Sequence, residues 1–327
     1  MTKAARSHQW SIAMSRLLSA GFSKLFKSAV YRICFAIAVL YPVFQATVRF
    51  ADYLKYPELN TEPIDAYTIM DMVFLWLILA AFVALFIGRE YSDGTIRNKL
   101  IIGHSRLSVY VSNFLVTYIG SVILHLVFFS VMFVLLKIFS LPMSLDFSDF
   151  LAINGVAFII IAAYIALFTM VAMIVTNKST SAVATLIVAF VLFMLGMVVY
   201  STLAEIQSIE AQDEVVIYYD GDDLDQAVNM QKNSNSEEID PLADMPGFQK
   251  IFFRISYDCL PSSQSMRMMD YTVMRSGYRQ SLKSGNLMEQ EAYPLSDIAV
   301  KFILYDLLII LASTVVGIFI FTRKDLN

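Results

Sequence analysis

Six long apolar stretches constrain the fold of this chain more than any other feature of its sequence. They cover residues 29–48, 67–87, 109–136, 150–175, 181–203 and 297–321. A helix needs about 20 mostly apolar residues to cross the hydrocarbon core of a bilayer. Because 57% of the residues are hydrophobic and only 16% are charged, an ordinary soluble enzyme is excluded. The sequence predicts an all-α integral membrane protein with six transmembrane helices.

Positive charges lie mainly on one side of the predicted membrane. Residues 1–28 carry five Lys or Arg and no acidic residue, and the loop 88–108 carries four. The short loops on the other side carry Arg49, Lys55 and Lys137. Cytoplasmic loops of membrane proteins are enriched in Lys and Arg. We therefore expect both termini in the cytoplasm.

Residues 1–28 predict an amphipathic helix. Apolar side chains from Trp10 to Phe26 share about half of the helix surface, and Arg16 and Lys27 lie opposite. A helix of this type lies in the headgroup layer, with its cations toward anionic membrane lipid. We expect a cytoplasmic interfacial helix here. Contact with a cytoplasmic partner is the alternative.

A long polar segment, 204–296, separates the fifth and sixth spans. It holds 16 acidic and 7 basic residues, and the predicted topology places it outside the cell. Its first half is strongly acidic, whereas its second half is richer in aromatic residues and Met. We expect the second half to form short helices against the outer membrane surface. The whole insertion is either a substrate-facing cap or a packed, solvated addition.

Motifs for catalysis and metal binding are absent from the sequence. A P-loop needs two glycines five residues apart followed by Lys and Ser or Thr, and no pair among the 12 glycines has that spacing. No His-Glu-x-x-His, Cys-x-x-Cys or Gly-x-Ser-x-Gly pattern occurs. We therefore expect no catalytic residue, no metal site and no nucleic-acid partner for this chain.

Three ionisable residues fall inside predicted spans. Asp71 lies in the second span, His125 in the third and Asp306 in the sixth. Because such groups are expensive to bury in hydrocarbon, they are candidates for the polar lining of a translocation path. Hydrogen bonds between helices are the alternative explanation.

The loop after the second span contains a short helix framed by capping residues. Ser92 or Asp93 can accept hydrogen bonds from the free N–H groups of a helix over Thr95–Ile102. Gly103 can end that helix. Ser105 can then cap the span that follows.

One face of this short helix is apolar. Ile96 and Leu100 lie four residues apart, and Arg97 and Lys99 flank them. Such a helix suits docking into a groove on a soluble partner. A plain surface loop with interfacial cations is the alternative.

The same loop resembles that of the ABC-2 type permeases, the membrane-spanning subunits of one class of ABC exporters. The residues that carry the resemblance are Glu90, the run Gly94-Thr95-Ile96-Arg97, Leu100 and Ser105-Arg106. The tail from Gly317 to Leu326 is similar to the usual end of such subunits. An interfacial N-terminal helix, six spans, cytoplasmic termini and an external segment between the last two spans complete the resemblance.

The resemblance implies a coupling helix that contacts a separate ABC ATPase subunit. The residues it assigns to this contact are Glu90, Asp93, Gly94, Thr95, Ile96, Arg97, Leu100 and Arg106. Glu90 would also anchor the elbow at the end of the second span. The chain itself would bind no cofactor, because ATP and Mg would bind to the partner ATPase. A second permease, either a second copy of this chain or a sister subunit, would complete the membrane assembly.

These patterns divide the chain into four parts. They are a cytoplasmic interfacial helix (1–28), five transmembrane helices with the coupling loop 88–108 (29–203), an extracytoplasmic segment (204–296) and a sixth transmembrane helix with a cytoplasmic tail (297–327).

The expected function is that of a permease subunit of an ATP-binding cassette exporter in a bacterial cell membrane. This subunit would be non-catalytic, form the translocation path and couple to the separate ATPase. Two alternatives stay open: a membrane sensor or accessory protein with an extracytoplasmic ligand-binding segment, and an ion-coupled secondary transporter. The substrate stays open among peptides, lipids, drugs, glycans and ions.

Overall fold

The computed structural model describes residues 3–56, 63–213, 246–284 and 295–324. Every regular element in these ranges is a helix. The helices are α1 (Lys3–Lys27), α2 (Ala29–Lys55), α3 (Asp71–Ser92), α4 (Thr95–Ile101), α5 (Arg106–Ile138), α6 (Phe147–Ile174), α7 (Lys178–Asp213), α8 (Gly247–Cys259), α9 (Pro261–Ser284) and α10 (Leu295–Arg323), with a short 3-10 helix (Asp65–Ile69) before α3. The all-α class that the apolar stretches predicted is confirmed.

Five helices in the described part of the chain are long and apolar enough to cross a membrane. They are α2, α5, α6, residues Lys178–Leu203 of α7 and residues Ile298–Arg323 of α10. A sixth candidate is the pair Asp65–Phe74 and Trp76–Ser92, which bends by 45°. At the first residue of this pair, the buried Asp65 carboxylate accepts a hydrogen bond from the Ser144 backbone N–H at 2.8 Å. This bond joins the start of the bent span to the loop between α5 and α6.

Helix α6 lies at the centre of the bundle. In its most apolar window 67% of the residues are buried, against 17–39% in the other four long helices. It contacts α3, α5, α7, α9 and α10. A helix that is apolar on all sides is suited to such a central position. The sites described below are arranged around α6.

Helix α1 packs against α5 and α2. Gly21 lies against Val116, and Leu25 lies against Gly120. Met14, Leu17 and Leu25, which belong to the apolar face, are buried in protein, whereas Phe26 is 55% exposed. The sequence pattern predicted that the apolar face of α1 contacts lipid. Part of that face packs against the helix bundle instead, and the interfacial position of α1 stays a prediction.

Helices α8 and α9 form a hairpin that enters the bundle from the end opposite α4. We call these two ends the hairpin end and the α4 end.

At the turn of the hairpin, Ser262 Oγ donates to the Leu192 carbonyl at 2.7 Å. Leu192 lies about 21 Å along α7 from Lys178, at 1.5 Å per residue. Gly196 permits this approach, because a Cβ there would lie 2.0 Å from Ser262 Oγ. The turn therefore lies in the interior, partway along the spans.

The second arm of the hairpin, α9, returns to the hairpin end. Along its length, Tyr200 of α7 donates to the Asp270 carboxylate at 2.5 Å. Near its end, Arg275 and Arg279 pair with Asp149 in the first turn of α6, at 3.1 and 2.9 Å. Hydrogen bonding to Asp149 raises the pKa of Arg279 above its ordinary value. These contacts hold the whole arm against α6 and α7.

The insertion of the hairpin corrects the expectation for the second half of 204–296. Helices were expected there, and they form, but among the spans rather than against the membrane surface. The reason is the run Ser262–Ser265, whose small or amide side chains are buried between the helices. Ser262 donates to the Leu192 carbonyl of α7, and Ser265 donates to the Pro261 carbonyl within α9. Residues 214–245, which hold most of the acidic half, and 285–294 lie outside the described residues.

Candidate functional site

One buried carboxylate joins three elements at the α4 end. Glu90, near the end of α3, is 1% exposed. Both of its oxygens accept from Lys99 Nζ of α4 at 2.9 Å, and one lies 3.4 Å from Lys24 Nζ of α1. Losing one partner of a buried ion pair is costly, because the other charge is left uncompensated. Glu90 therefore ties α4 and α1 to the end of α3.

Glycines set both ends of α4. Gly94 precedes it with φ 65°, a left-handed conformation that glycine adopts readily. Neither Ser92 nor Asp93 caps α4: Ser92 donates to the Gly88 carbonyl at 3.2 Å, and Asp93 pairs with Arg89 at 3.2 Å. The predicted cap was therefore wrong.

The other predicted boundary residues behave as expected. Gly103, with φ 100°, follows the end of α4, and its N–H donates to the Leu100 carbonyl. Ser105 caps α5, since its hydroxyl accepts from the Ser108 N–H at 3.0 Å. Both expectations from the sequence are confirmed, although α4 ends at Ile101, one residue earlier than predicted.

Helix α4 presents different residues to solvent than its sequence pattern indicated. Ile96 is 1% exposed, and Leu100 packs against the hydrophobic core. Ile101 and Ile102 are 72% and 78% exposed, and Arg97 is exposed beside them. The apolar face at i, i+4 spacing is real, but it packs on this chain's own α3 and α5. In this conformation Ile96 supports α4 from inside and is not available to a partner.

Arg106 connects the α4 end to the end of the last helix, α10. Its guanidinium donates to the carbonyls of Phe321 at 2.7 Å and Lys324 at 2.6 Å. The Lys324 ammonium in turn donates to the Ile174 carbonyl at the end of α6. The last carbonyls of a helix have no partner within it, and these two cations satisfy them. Arg106 thus contacts this chain's own α10.

Asp71 and His125 meet inside the bundle. The two ring nitrogens of His125 lie 2.6 Å from an Asp71 carboxylate oxygen and 3.0 Å from Asn154 Oδ1. Asn154 donates its amide to the Phe150 carbonyl at 2.7 Å, which orients Oδ1 toward the ring. The Asn154 oxygen can only accept a hydrogen bond, so the ring nitrogen that faces it is the donor of that bond. The network is buried and connects α3, α5 and α6.

Asp306 lies apart from this network, at the turn of the hairpin. It is completely buried, and it interacts with Gln264 of α9 and with Tyr164 of α6. Within the part of the chain that the structure describes, neither carboxylate oxygen has a hydrogen-bond partner. Two of the three predicted polar residues therefore come together, and the third belongs to a different cluster.

Comparison with protein families gives a match to the model of the ABC-2 family transporter protein over residues 17–196. That is just over half of the chain. The chain belongs to the ABC-2 transporter family. The resemblance read from the loop around Glu90 is thereby confirmed. Comparison with curated proteins and with solved structures gives no match.

Family membership makes the chain a membrane permease of an ABC transporter, part of a family of generally non-catalytic transport components. It also implies association with an ABC ATPase. The matched residues include Glu90, all of α4 and the Asp71–His125 network. The hairpin and Asp306 of the permease lie beyond the match.

Sequence reasoning missed several residues of the permease that these clusters use. Ile101 and Ile102 carried a signal, since two successive isoleucines before a turn glycine are unusual in a polar loop. Lys24 and Lys99 carried none that distinguished them from other basic residues. Asn154 carried none either, because its pairing with His125 depends on the packing of α5 on α6.

Proposed function

We propose that this permease forms the translocation path of an ATP-driven exporter and that α4 docks a separate ABC ATPase. The observation that carries the proposal is the exposure of Ile101 and Ile102, at 72% and 78%, at the end of a helix that Lys99 ties to the buried Glu90. Fully burying an isoleucine side chain contributes about 1.5–3 kcal/mol. Two adjacent ones, with Arg97 alongside, suit a groove on a soluble partner.

The anchoring of α4 supports a coupling role. Lys99 ties α4 to Glu90 at the end of α3, and Lys24 ties α1 to the same carboxylate. A displacement of α4 would therefore be transmitted to α3 and α1 together. ATP and Mg would bind to the partner, and ATP would act through its different affinity for two conformations of the assembly.

The interior and the surface of the bundle complete the proposal. The Asp71–His125 network would line the path between α3, α5 and α6. The exposed apolar faces of α2, α7 and α10 would contact lipid and a second permease, either a second copy or a sister subunit. The α4 end would face the cytoplasm, with both termini on that side.

The test is co-purification of the tagged full-length chain from its native cells in mild detergent, with partners identified by mass spectrometry. The test variant is Ile101→Asp with Ile102→Asp, which changes exposed side chains and leaves the core intact. The matched control is Asn98→Asp, which adds a charge to the exposed surface of the same helix. We expect the ATPase with wild type and control and its loss from the double variant.

Two results would contradict the proposal. If the double variant keeps the ATPase, α4 is not the docking helix, and Ile101 and Ile102 contact lipid instead. If no ATPase accompanies the wild-type chain, the protein works without one, and a sensor or accessory role takes precedence.

A further inference from the structure

We propose that the turn of the α8–α9 hairpin holds a buried monovalent metal cation, with the Asp306 carboxylate as its charged ligand. This site goes beyond the permease function and does not depend on an ATPase partner. It lies between the hairpin, α6 and α10.

Asp306 is the starting point, because its charge has no partner in the described residues. Its side chain is completely buried; Gln264 interacts with the carboxylate, but neither oxygen has a hydrogen-bond partner of normal geometry among the described residues. The nearby thiol of Cys259 interacts with it electrostatically but brings no positive charge. An isolated ionised carboxylate in an apolar interior is very costly. A bound cation would remove that cost.

Arg267, the basic residue closest in sequence to Gln264, pairs with another carboxylate. Arg267 of α9 pairs with Asp258 of α8 at 2.6 Å. Its guanidinium also lies 4.2 Å from the Tyr257 ring centroid and 4.9 Å from that of Phe302. Arg267 therefore pairs with Asp258 rather than with Asp306.

Two further oxygens accompany the carboxylate. Gln264 is completely buried, and its amide nitrogen donates to the Asp258 carbonyl at 2.8 Å. Its Oε1 makes no hydrogen bond to a described group. The hydroxyl of the buried Tyr164 interacts with Ser265, Ser262 and Asp306 and has no hydrogen-bond partner of normal geometry among the described residues. All of these ligands are hard oxygen donors.

The ligand chemistry selects the class of ion. Oxygen-only sites suit hard cations rather than transition metals, which favour nitrogen and sulfur. One carboxylate balances one positive charge, whereas a divalent ion would leave an excess charge buried. Complete burial also requires the ion to lose its water. The geometry therefore points to an alkali cation, which would join α6, α9 and α10 through Tyr164, Gln264 and Asp306.

Thermal unfolding of the purified full-length chain in detergent tests the site. The melting temperature is measured in sodium, potassium, lithium and choline chloride at equal ionic strength. We expect at least one alkali cation to raise the melting temperature above that in choline, with a saturable dependence on its concentration, as for any ligand that binds only the folded state. Identical melting temperatures in all four salts would overturn the proposal and show that Asp306 is protonated or satisfied by neighbouring hydroxyls.

Variants assign the effect to this site. Asp306→Asn should lose the difference between alkali and choline salts. The control Asp270→Asn, a carboxylate of the same hairpin bonded to Tyr200, should keep it. If Asp306→Asn does not fold, Tyr164→Phe removes one ligand oxygen, and the cation concentration needed for half the effect should rise. A response that is unchanged in the Asp306 or Tyr164 variant would place the ion elsewhere.

Discussion

The buried Glu90 carboxylate pairs with two lysines, Lys99 and Lys24. Replacing Glu90 by Gln keeps the size of the side chain but removes the charge that Lys99 and Lys24 share. We expect a loss of roughly 1.5–3 kcal/mol in the free energy of unfolding, the range for hydrogen bonds to charged groups. The melting temperature of the purified chain measures this loss, and co-purification of the ATPase should fall in parallel.

Arg89→Gln is the matched control, one residue earlier on the same helix. Its pair with Asp93 is about half exposed on both sides, at 52% and 49%, and such surface pairs contribute less than about 1 kcal/mol. An equal loss in the two variants would show that burial at Glu90 adds nothing to the anchor.

The sequence does not show which way the apolar face of α4 points. The pattern around Glu90 was enough to identify the loop and its helix, because capping glycines and charged residues act locally. It assigned Ile96 to a partner, whereas Ile96 is buried in this chain. Helical periodicity shows that two side chains share a face. It does not show whether that face meets the same chain or another one.

At the scale of elements, the hairpin depends on one glycine. A Cβ on Gly196 would lie 2.0 Å from Ser262 Oγ and 2.9 Å from the Ser263 backbone nitrogen. Gly196→Ala should therefore push the turn of the hairpin away from α7, at a cost of about 1–3 kcal/mol, as in other overpacked cores. Hydrogen exchange of the amides in Pro261–Ser284 measures the displacement, and we expect faster exchange in the variant.

Gly277→Ala provides the comparison within α9, because a Cβ there would meet nothing within 4 Å. It should leave the exchange of the hairpin unchanged or slow it slightly, since alanine favours the helix. Unchanged exchange in Gly196→Ala would mean that the turn does not pack against α7 as described.

The elements differ in how well the sequence predicts them. The apolar stretches located five long helices to within a few residues at most of their ends, because any helix in lipid must satisfy its own backbone groups. The second half of 204–296 was expected to form short helices against the membrane surface, because it is rich in aromatic residues and Met within a long polar segment. Inside a bundle, however, polar side chains can bond to a neighbouring helix or to their own: Ser262 donates to the Leu192 carbonyl of α7, and Ser265 donates to the Pro261 carbonyl within α9. That compensation appears only once the helices are packed.

At the scale of the whole molecule, variants of the Asp71–His125 pair can show whether the pair has a structural role or a role in transport. Asp71→Asn alone leaves the buried His125 ring without its carboxylate partner, and breaking a buried pair by removing one partner costs about 3–5 kcal/mol. Adding His125→Gln removes the second partner, so the double variant should recover most of the melting temperature. The free energies of the two single variants and the double variant form a thermodynamic cycle.

The ATPase activity of the assembled transporter then decides between the roles. A path residue should leave the double variant stable but defective in substrate-stimulated hydrolysis. Recovery of both stability and hydrolysis would assign the pair to packing alone, which is the alternative that the sequence left open.

The bonds from Arg106 to α10 also have a consequence for synthesis. The carbonyls that Arg106 binds belong to Phe321 and Lys324, 215 and 218 residues further along the chain. While the ribosome is still making the intervening helices, this guanidinium has no α10 to close upon. The α4 end is therefore completed only when α10 has been inserted, and a chain that stops before Phe321 would leave the Arg106 guanidinium without these two acceptors.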